Sequence, residues 1–176
     1  ARLGKAPREM VTGVPAYVDG SGLSIAADAG ARLVNSDRMW HYTEGIQNWD
    51  PVWPGHGIRI LSAPSPMWFD ALGRRLPAPY LPGYDTMGTL RHLRTTPDIA
   101  EYDHSWLILN ERIIAKEFAL SGSEQNPDIT SGSKVEVVKS RLAKGVPGPV
   151  QAFVDQGADF VVADRIEDLV QKMNAL

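Results

Sequence analysis

The sequence predicts an α+β fold, with a small mixed or antiparallel sheet and several short helices. Its 176 residues suffice for one domain with a sizeable core, since domains run roughly 100–200 residues. Strand and helix signals are short and interleaved, and there is no internal repeat. Pro, Gly and Trp concentrate between Ser36 and Pro97, which leaves a more regular segment on either side of an irregular one.

In the first segment, GSGLSIAADAGARLV predicts a helix capped by Asp19 or Ser21. Leu23, Ile25, Ala26 and Ala29 give it an apolar face, and Gly30 stands where a C′ glycine belongs. Arg32-Leu33-Val34 reads as a strand after it, whereas the first twenty residues carry no recognisable opening element. In the irregular segment, GIRILS (Gly57 to Ser62) reads as a strand. Met67 to Phe69 reads as another, turning at Asp70-Ala71-Leu72-Gly73 into a return strand at Arg74-Arg75-Leu76; the small sheet should include this hairpin. A short helix follows from Thr86 to Arg94. The last segment predicts a strand at Trp106 to Leu109 and helices around Glu111 to Phe118 and Val135 to Ala143. A further helix, Pro149 to Gln156, has Pro in its first turn and Gly157 at its exit. ADFVVAD reads as a strand, and Asp164 should cap RIEDLVQKMNA, with Glu167 completing a capping box.

Composition narrows the function. Hydrophobic content of 43% and charged content of 22% are those of an ordinary globular protein. A net charge of −3, with Lys and Arg scattered, argues against a nucleic-acid surface. No apolar run approaches the roughly 20 residues that cross a bilayer. The absence of Cys removes disulfides and thiolate metal sites, which suits a cytoplasmic protein. The opening ARLGK, without Met, reads as a fragment of something longer or as a short trimmed N-terminus.

Gly-x-Ser-x-Gly, His-Glu-x-x-His and P-loop patterns are missing. His41 and Glu44 would share a metal only on a helix, which Gly45 and Asn48-Trp49-Asp50-Pro51 oppose, so no metal is expected. Gly20-Ser21-Gly22 reads as a flexible helix entry: no hydrophobic strand leads into it and a third glycine is lacking. What remains is MWHYTEGIQNWDPVWPGHGIRI, Met39 to Ile60, with three of the five Trp (Trp40, Trp49, Trp53) and two of the four His. His41, Tyr42, Thr43, Glu44, Arg59, Arg75 and Tyr84 are polar groups set among aromatics. Either the rings are core walls whose polar edges bond loop carbonyls, or they wall a pocket where these groups orient a substrate or move a proton. Residue chemistry alone leaves both open.

Ala27-Asp28-Ala29-Gly30-Ala31-Arg32-Leu33, followed by His41, resembles the A-x-x-A-G-A-x-L … H segment of flavoproteins of the fumarate reductase/succinate dehydrogenase group. That group includes 3-ketosteroid Δ1-dehydrogenases. Gly57-Ile58-Arg59 with WFDALGRRL is similar to the group's G-x-R-G … V-N-x-x-G-x-R-F hairpin, and ADFVVADRIEDLVQKMNAL to its A-D-T-I-E-E-L-A helix. Together with FALSGSEQNPDI, the resemblance covers essentially the full chain. It implies the substrate-capping domain of an FAD-dependent dehydrogenase or reductase acting on CH–CH bonds of an organic, steroid-like substrate. The cap's partner would be its own FAD-binding domain.

Three departures bear on what carries over. The Gly-x-Gly-x-x-Gly turn that holds the FAD pyrophosphate is missing, so FAD is expected mainly on another domain and not on this chain alone. The spacer from Leu33 to His41 is one residue short of the fumarate-reductase pattern. Eight residues after Arg75, where those reductases carry a catalytic Arg, stands Gly83, which points away from fumarate toward a larger, more apolar substrate. On this reading Tyr84, Arg59 and Glu44 are the catalytic candidates, with Tyr84 a proton donor or acceptor aimed by the Pro82-Gly83 turn. His41, Tyr42, Thr43, Trp40, Trp49 and Arg75 face substrate and flavin. At least one of the three Trp should then be exposed, in a patch that a homodimer would cover. Two classes without redox activity stay open: a stand-alone small-ligand-binding module and a protein-interaction module.

Overall fold

A computed structural model describes residues 3–36, 41–81, 83–122 and 125–176, the side chains of 62 and 141 excepted. In chain order the elements are α1 (Ser21–Asp28), β1 (Gly45–Gln47), β2 (Gly57–Ser62) and β3 (Met67–Phe69). Then come α2 (Thr86–Thr95), β4 (Trp106–Ile108), α3 (Glu111–Lys116) and β5 (Ala119–Leu120). The chain closes with α4 (Pro127–Thr130), α5 (Lys134–Leu142), α6 (Gly148–Gln156) and α7 (Ile166–Met173). This is the α+β arrangement that the short, mixed signals predict.

One sheet runs β1-β2-β5, antiparallel throughout, with Gly45 opposite Arg59 and Ile60 opposite Leu120. Burial alternates along its first strand: Glu44, Ile46 and Asn48 are buried while Gly45 and Gln47 are exposed, the period of a half-buried strand. Ile46, Ile58 and Leu120 pack with Ile114, Phe118, Val150 and Phe153 in one buried cluster, so α3 and α6 cover the sheet. Strands this short contribute few ladder bonds, and the removal of these side chains from water holds the layers together. The second sheet pairs β3 with β4 and buries Trp68, whose indole N–H donates to Ser105 Oγ at 2.7 Å.

Local chemistry explains the helix ends. Asp85, Asn110 and Ser133 cap α2, α3 and α5 by accepting the N–H of Gly88, Ile113 and Glu136. Gly30, at φ 89°, ends α1: its N–H reaches Ala27 O and the Ala31 N–H reaches Ala26 O, each at 2.9 Å.

Several expectations need correction. Neither Asp19 nor Ser21 caps α1; Gly20 holds that position at φ 83°, and Asp19 accepts the Ser21 N–H instead. The apolar face of α1 is not buried, since Leu23 and Ile25 are exposed. Arg32–Val34 is not a strand: Leu33 and Val34 are exposed and have no strand partner among the described residues. The return segment of the hairpin contributes a single bridge, Phe69 to Arg75. Asp70 dominates that turn, taking the N–H of Leu72 and Arg74 at 2.9 Å each, and the ladder partner of β3 is β4. Residues 158–164 are loop rather than strand, tied to the edge of β1 by a side chain: Asp159 accepts the Gln47 N–H at 2.6 Å. Asp164 and Glu167 form no capping box; Arg165 stands at the N-cap of α7 without a side-chain cap bond. The opening residues do pair, through a parallel bridge between Thr12 and His56.

Candidate functional site

The β1–β2 pairing brings Glu44 and Arg59 together from positions fifteen apart in sequence. The Arg59 backbone is held on its other side by β5: its N–H donates to Ser121 Oγ and its carbonyl accepts the Ser121 N–H, both at 2.8 Å. Its guanidinium carbon lies 3.7 Å from the centroid of the Tyr42 ring, a cation–π stack. Arg59 Nη2 stands 3.9 Å from Glu44 Oε1, an ion pair without a direct hydrogen bond. The Glu44 carboxylate is almost wholly buried; it accepts the Thr43 hydroxyl at 3.1 Å and, more weakly, the Gly83 N–H at 3.4 Å. Among the described residues, buried Arg59 Nε has no acceptor. Three separate stretches thus meet: 42–44, Arg59, and the turn before Tyr84.

The other candidates divide. Tyr84 is 77% exposed and follows Gly83 directly, its phenol standing out beside the cluster rather than in it. His41 and Thr43 are half-buried and Tyr42 is exposed at the cluster's rim. Arg75 is exposed on the Asp70 turn, and the described contacts do not join it to Glu44 or Arg59. Trp40 lies outside the described residues. Trp49 is 37% exposed. Trp53 fits the wall reading: it stacks on His56 with centroids 3.7 Å apart and donates its indole N–H to Thr12 O at 3.3 Å.

Asn48, His56 and Ser121 carry much of this geometry and were not among the candidates. Asn48 had a readable signal, because Asn-Trp-Asp-Pro favours an Asx turn, and its Oδ1 accepts the Asp50 N–H. His56 and Ser121 had none, since each acts through a partner distant in sequence.

Among the described residues, the glycine-flanked helix start at Gly20-Ser21-Gly22 does not fit the FAD pyrophosphate: it follows turns rather than a strand, and α1 buries none of its residues. Among the described residues no group of three or more His, Asp or Glu is placed to hold a metal ion, and no helix is long and apolar enough to cross a membrane.

Comparison with known proteins adds the lineage. The chain is 60% identical over its whole length to a "KsdD-like steroid dehydrogenase" of Mycolicibacterium smegmatis, of which it covers 31%. It is 53% identical over 99% of its length to "KsdD-like steroid dehydrogenase" proteins of two Mycobacterium tuberculosis strains, covering 30% of each. The chain therefore spans about a third of the length of the curated relatives it matches. No solved structure matches it. The family model described as "FAD binding domain" matches residues 1–168, a description that names flavin binding rather than substrate capping, and the chain belongs to that family.

Proposed function

We propose that this chain is the substrate-capping part of an FAD-dependent oxidoreductase that acts on CH–CH bonds of a steroid-like substrate. The observation that carries the reading is the Tyr42–Glu44–Arg59 cluster. A buried carboxylate, an arginine with an unanswered donor stacked on the Tyr42 ring, and the Gly83 N–H are assembled from three stretches, more than a core wall requires. The relatives' names, steroid dehydrogenases, support the substrate class. The poor fit of the Gly20-Ser21-Gly22 helix start to a pyrophosphate, among the described residues, supports a cap rather than a cofactor-holding role.

The redox step belongs to the flavin, and none of it is assigned to this chain. Its residues orient the substrate and shield it from water: Arg59 offers N–H donors to a substrate oxygen, and Glu44 and Tyr42 hold the guanidinium in place. His41, Thr43 and Trp49 line the approach. Tyr84 is the group with freedom to reach a substrate carbon or its proton. Arg75 stays a peripheral contact at most.

The test is a preparation of the whole protein that carries this sequence. A flavin absorbance spectrum, and bleaching of that spectrum by a 3-ketosteroid without oxygen, are expected; a protein free of flavin would overturn the reading. The 176-residue chain alone should bind FAD weakly or not at all, and micromolar binding would contradict the capping role.

A further inference from the structure

We propose that Arg59 recognises a neutral carbonyl oxygen of the substrate, and that Glu44, buried behind it, sets that preference by balancing its charge in advance. The inference rests on the capping reading and adds which residue chooses the substrate's polar end. Four observations carry it.

The side chain is pre-set. Its backbone is pinned between β1 and Ser121, and its guanidinium lies against the Tyr42 ring, so little freedom is left to lose when a ligand arrives. Its donors are under-used, because the ion pair with Glu44 is 3.9 Å long and Nε has no acceptor among the described residues. Its head is reachable, the side chain being 29% exposed against 2% for Glu44.

Charge then selects the ligand. Glu44 already neutralises Arg59, and among the described residues its carboxylate accepts hydrogen bonds from the Thr43 hydroxyl and, over a long 3.4 Å, from the Gly83 N–H. A ligand carboxylate would place a second anion beside this buried one, and like charges in a desolvated site oppose each other strongly. A carbonyl oxygen accepts from the guanidinium without adding charge. Glu44 is thus a positioning residue and Arg59 a binding one.

The experiment measures equilibrium binding by calorimetry in the whole FAD-loaded protein, using progesterone and an analogue with a carboxylate in place of its ring-A carbonyl. Wild type should prefer the ketone. Arg59→Lys should weaken ketone binding about ten- to hundredfold, the worth of one hydrogen bond to a charged group. Glu44→Gln should move the ketone-to-carboxylate ratio at least about tenfold toward the carboxylate, which a merely structural role for Glu44 would not do. If either single variant fails to fold, Glu44→Gln/Arg59→Met, which buries no unpaired charge, should lose the ketone preference. An unchanged ratio in Glu44→Gln, unchanged ketone binding in Arg59→Lys, or a wild type that prefers the carboxylate would overturn the inference. If wild type binds neither steroid, the steroid reading is what fails. Arg59 is then judged with cyclohexanone and cyclohexanecarboxylate on the same variants, and equal behaviour of all proteins overturns it.

Discussion

Asn48 and His56 close the β1–β2 connection from both ends, with Asn48 Nδ2 3.0 Å from His56 Nδ1 and both side chains buried. The Val52 N–H also points at that nitrogen, at 3.1 Å. A backbone amide only donates, so Nδ1 is the acceptor and the ring proton sits on Nε2. The imidazole is the hub of the loop that carries Trp49 and Trp53. His56→Ala would orphan two donors and remove the ring under Trp53. The expected cost is about 1–3 kcal/mol, since the buried Asn48 amide would be left unpaired. Urea unfolding followed by far-UV circular dichroism measures it; a loss under about 0.5 kcal/mol, the usual range for a surface substitution, would mean the loop does not depend on His56.

Asp103 gives a pH prediction with a definite sign. The Arg8 guanidinium, the Arg8 N–H and the Arg94 guanidinium hold its carboxyl well below the usual carboxylate range. A depressed folded-state pKa stabilises the fold above the unfolded value, about 3.9 for Asp, and the contribution is lost as pH falls toward the folded value. Asp103→Asn should therefore lower the urea midpoint by a constant amount from neutral pH down to about 5, with the gap to wild type closing below about 4. A gap that widens on acidification would contradict the linkage. The segment from Lys5 to Arg8 should also become more protease-sensitive, because Arg94 ties Lys5 O to the same carboxylate.

Gly57 is fixed by space rather than by dihedral freedom. Its N–H donates to Thr12 O at 2.8 Å, and a methyl added to it would lie 2.7 Å from Val11 Cβ and 3.1 Å from Thr12 N. Gly57→Ala should cost about 1–3 kcal/mol by overpacking. Gly148→Ala, at the open start of α6 with nothing within 4 Å, should be neutral or stabilising by up to about 1 kcal/mol. Thermal midpoints of the two variants compare the costs, and equal shifts would remove the claim that Val11 packs on β2.

How much of this was legible depends on how local each cause is. GIRILS, Thr86 to Arg94, Trp106 to Leu109 and the helices starting near Val135 and Pro149 were readable because caps, prolines and short periods act within a few residues. Arg32–Val34 and ADFVVAD misled because extended, apolar composition makes a strand only where a partner edge exists. The one near the latter is taken by the Asp159 carboxylate. β5, two residues long, has no period to read at all. Within the candidate cluster, residue types pointed to Glu44, Arg59 and Tyr42. Their meeting depends on the Gly45–Arg59 register, which needs the pairing and not the pattern.

The Tyr42–Arg59 stack yields the last prediction. Tyr42 has other interactions besides the stack, so removing the whole side chain would mix several losses. Comparing Tyr42→Phe with Tyr42→Leu removes that ambiguity, since both delete the hydroxyl and only the second deletes the ring. A cation over an aromatic face contributes about 0.5–1 kcal/mol at an exposed site. Tyr42→Leu should therefore be less stable than Tyr42→Phe by about that much beyond the difference in buried area. A double-mutant cycle isolates the stack: in an Arg59→Met background the gap between the two Tyr42 variants should shrink by about 0.5–1 kcal/mol. Glu44→Gln is included in every Arg59→Met protein and in its reference, so that no buried carboxylate is left without its cation. A gap of the same size with and without Arg59 would show that the ring packs on β2 without holding the guanidinium, and would leave the Glu44 ion pair, among the described residues, to fix it.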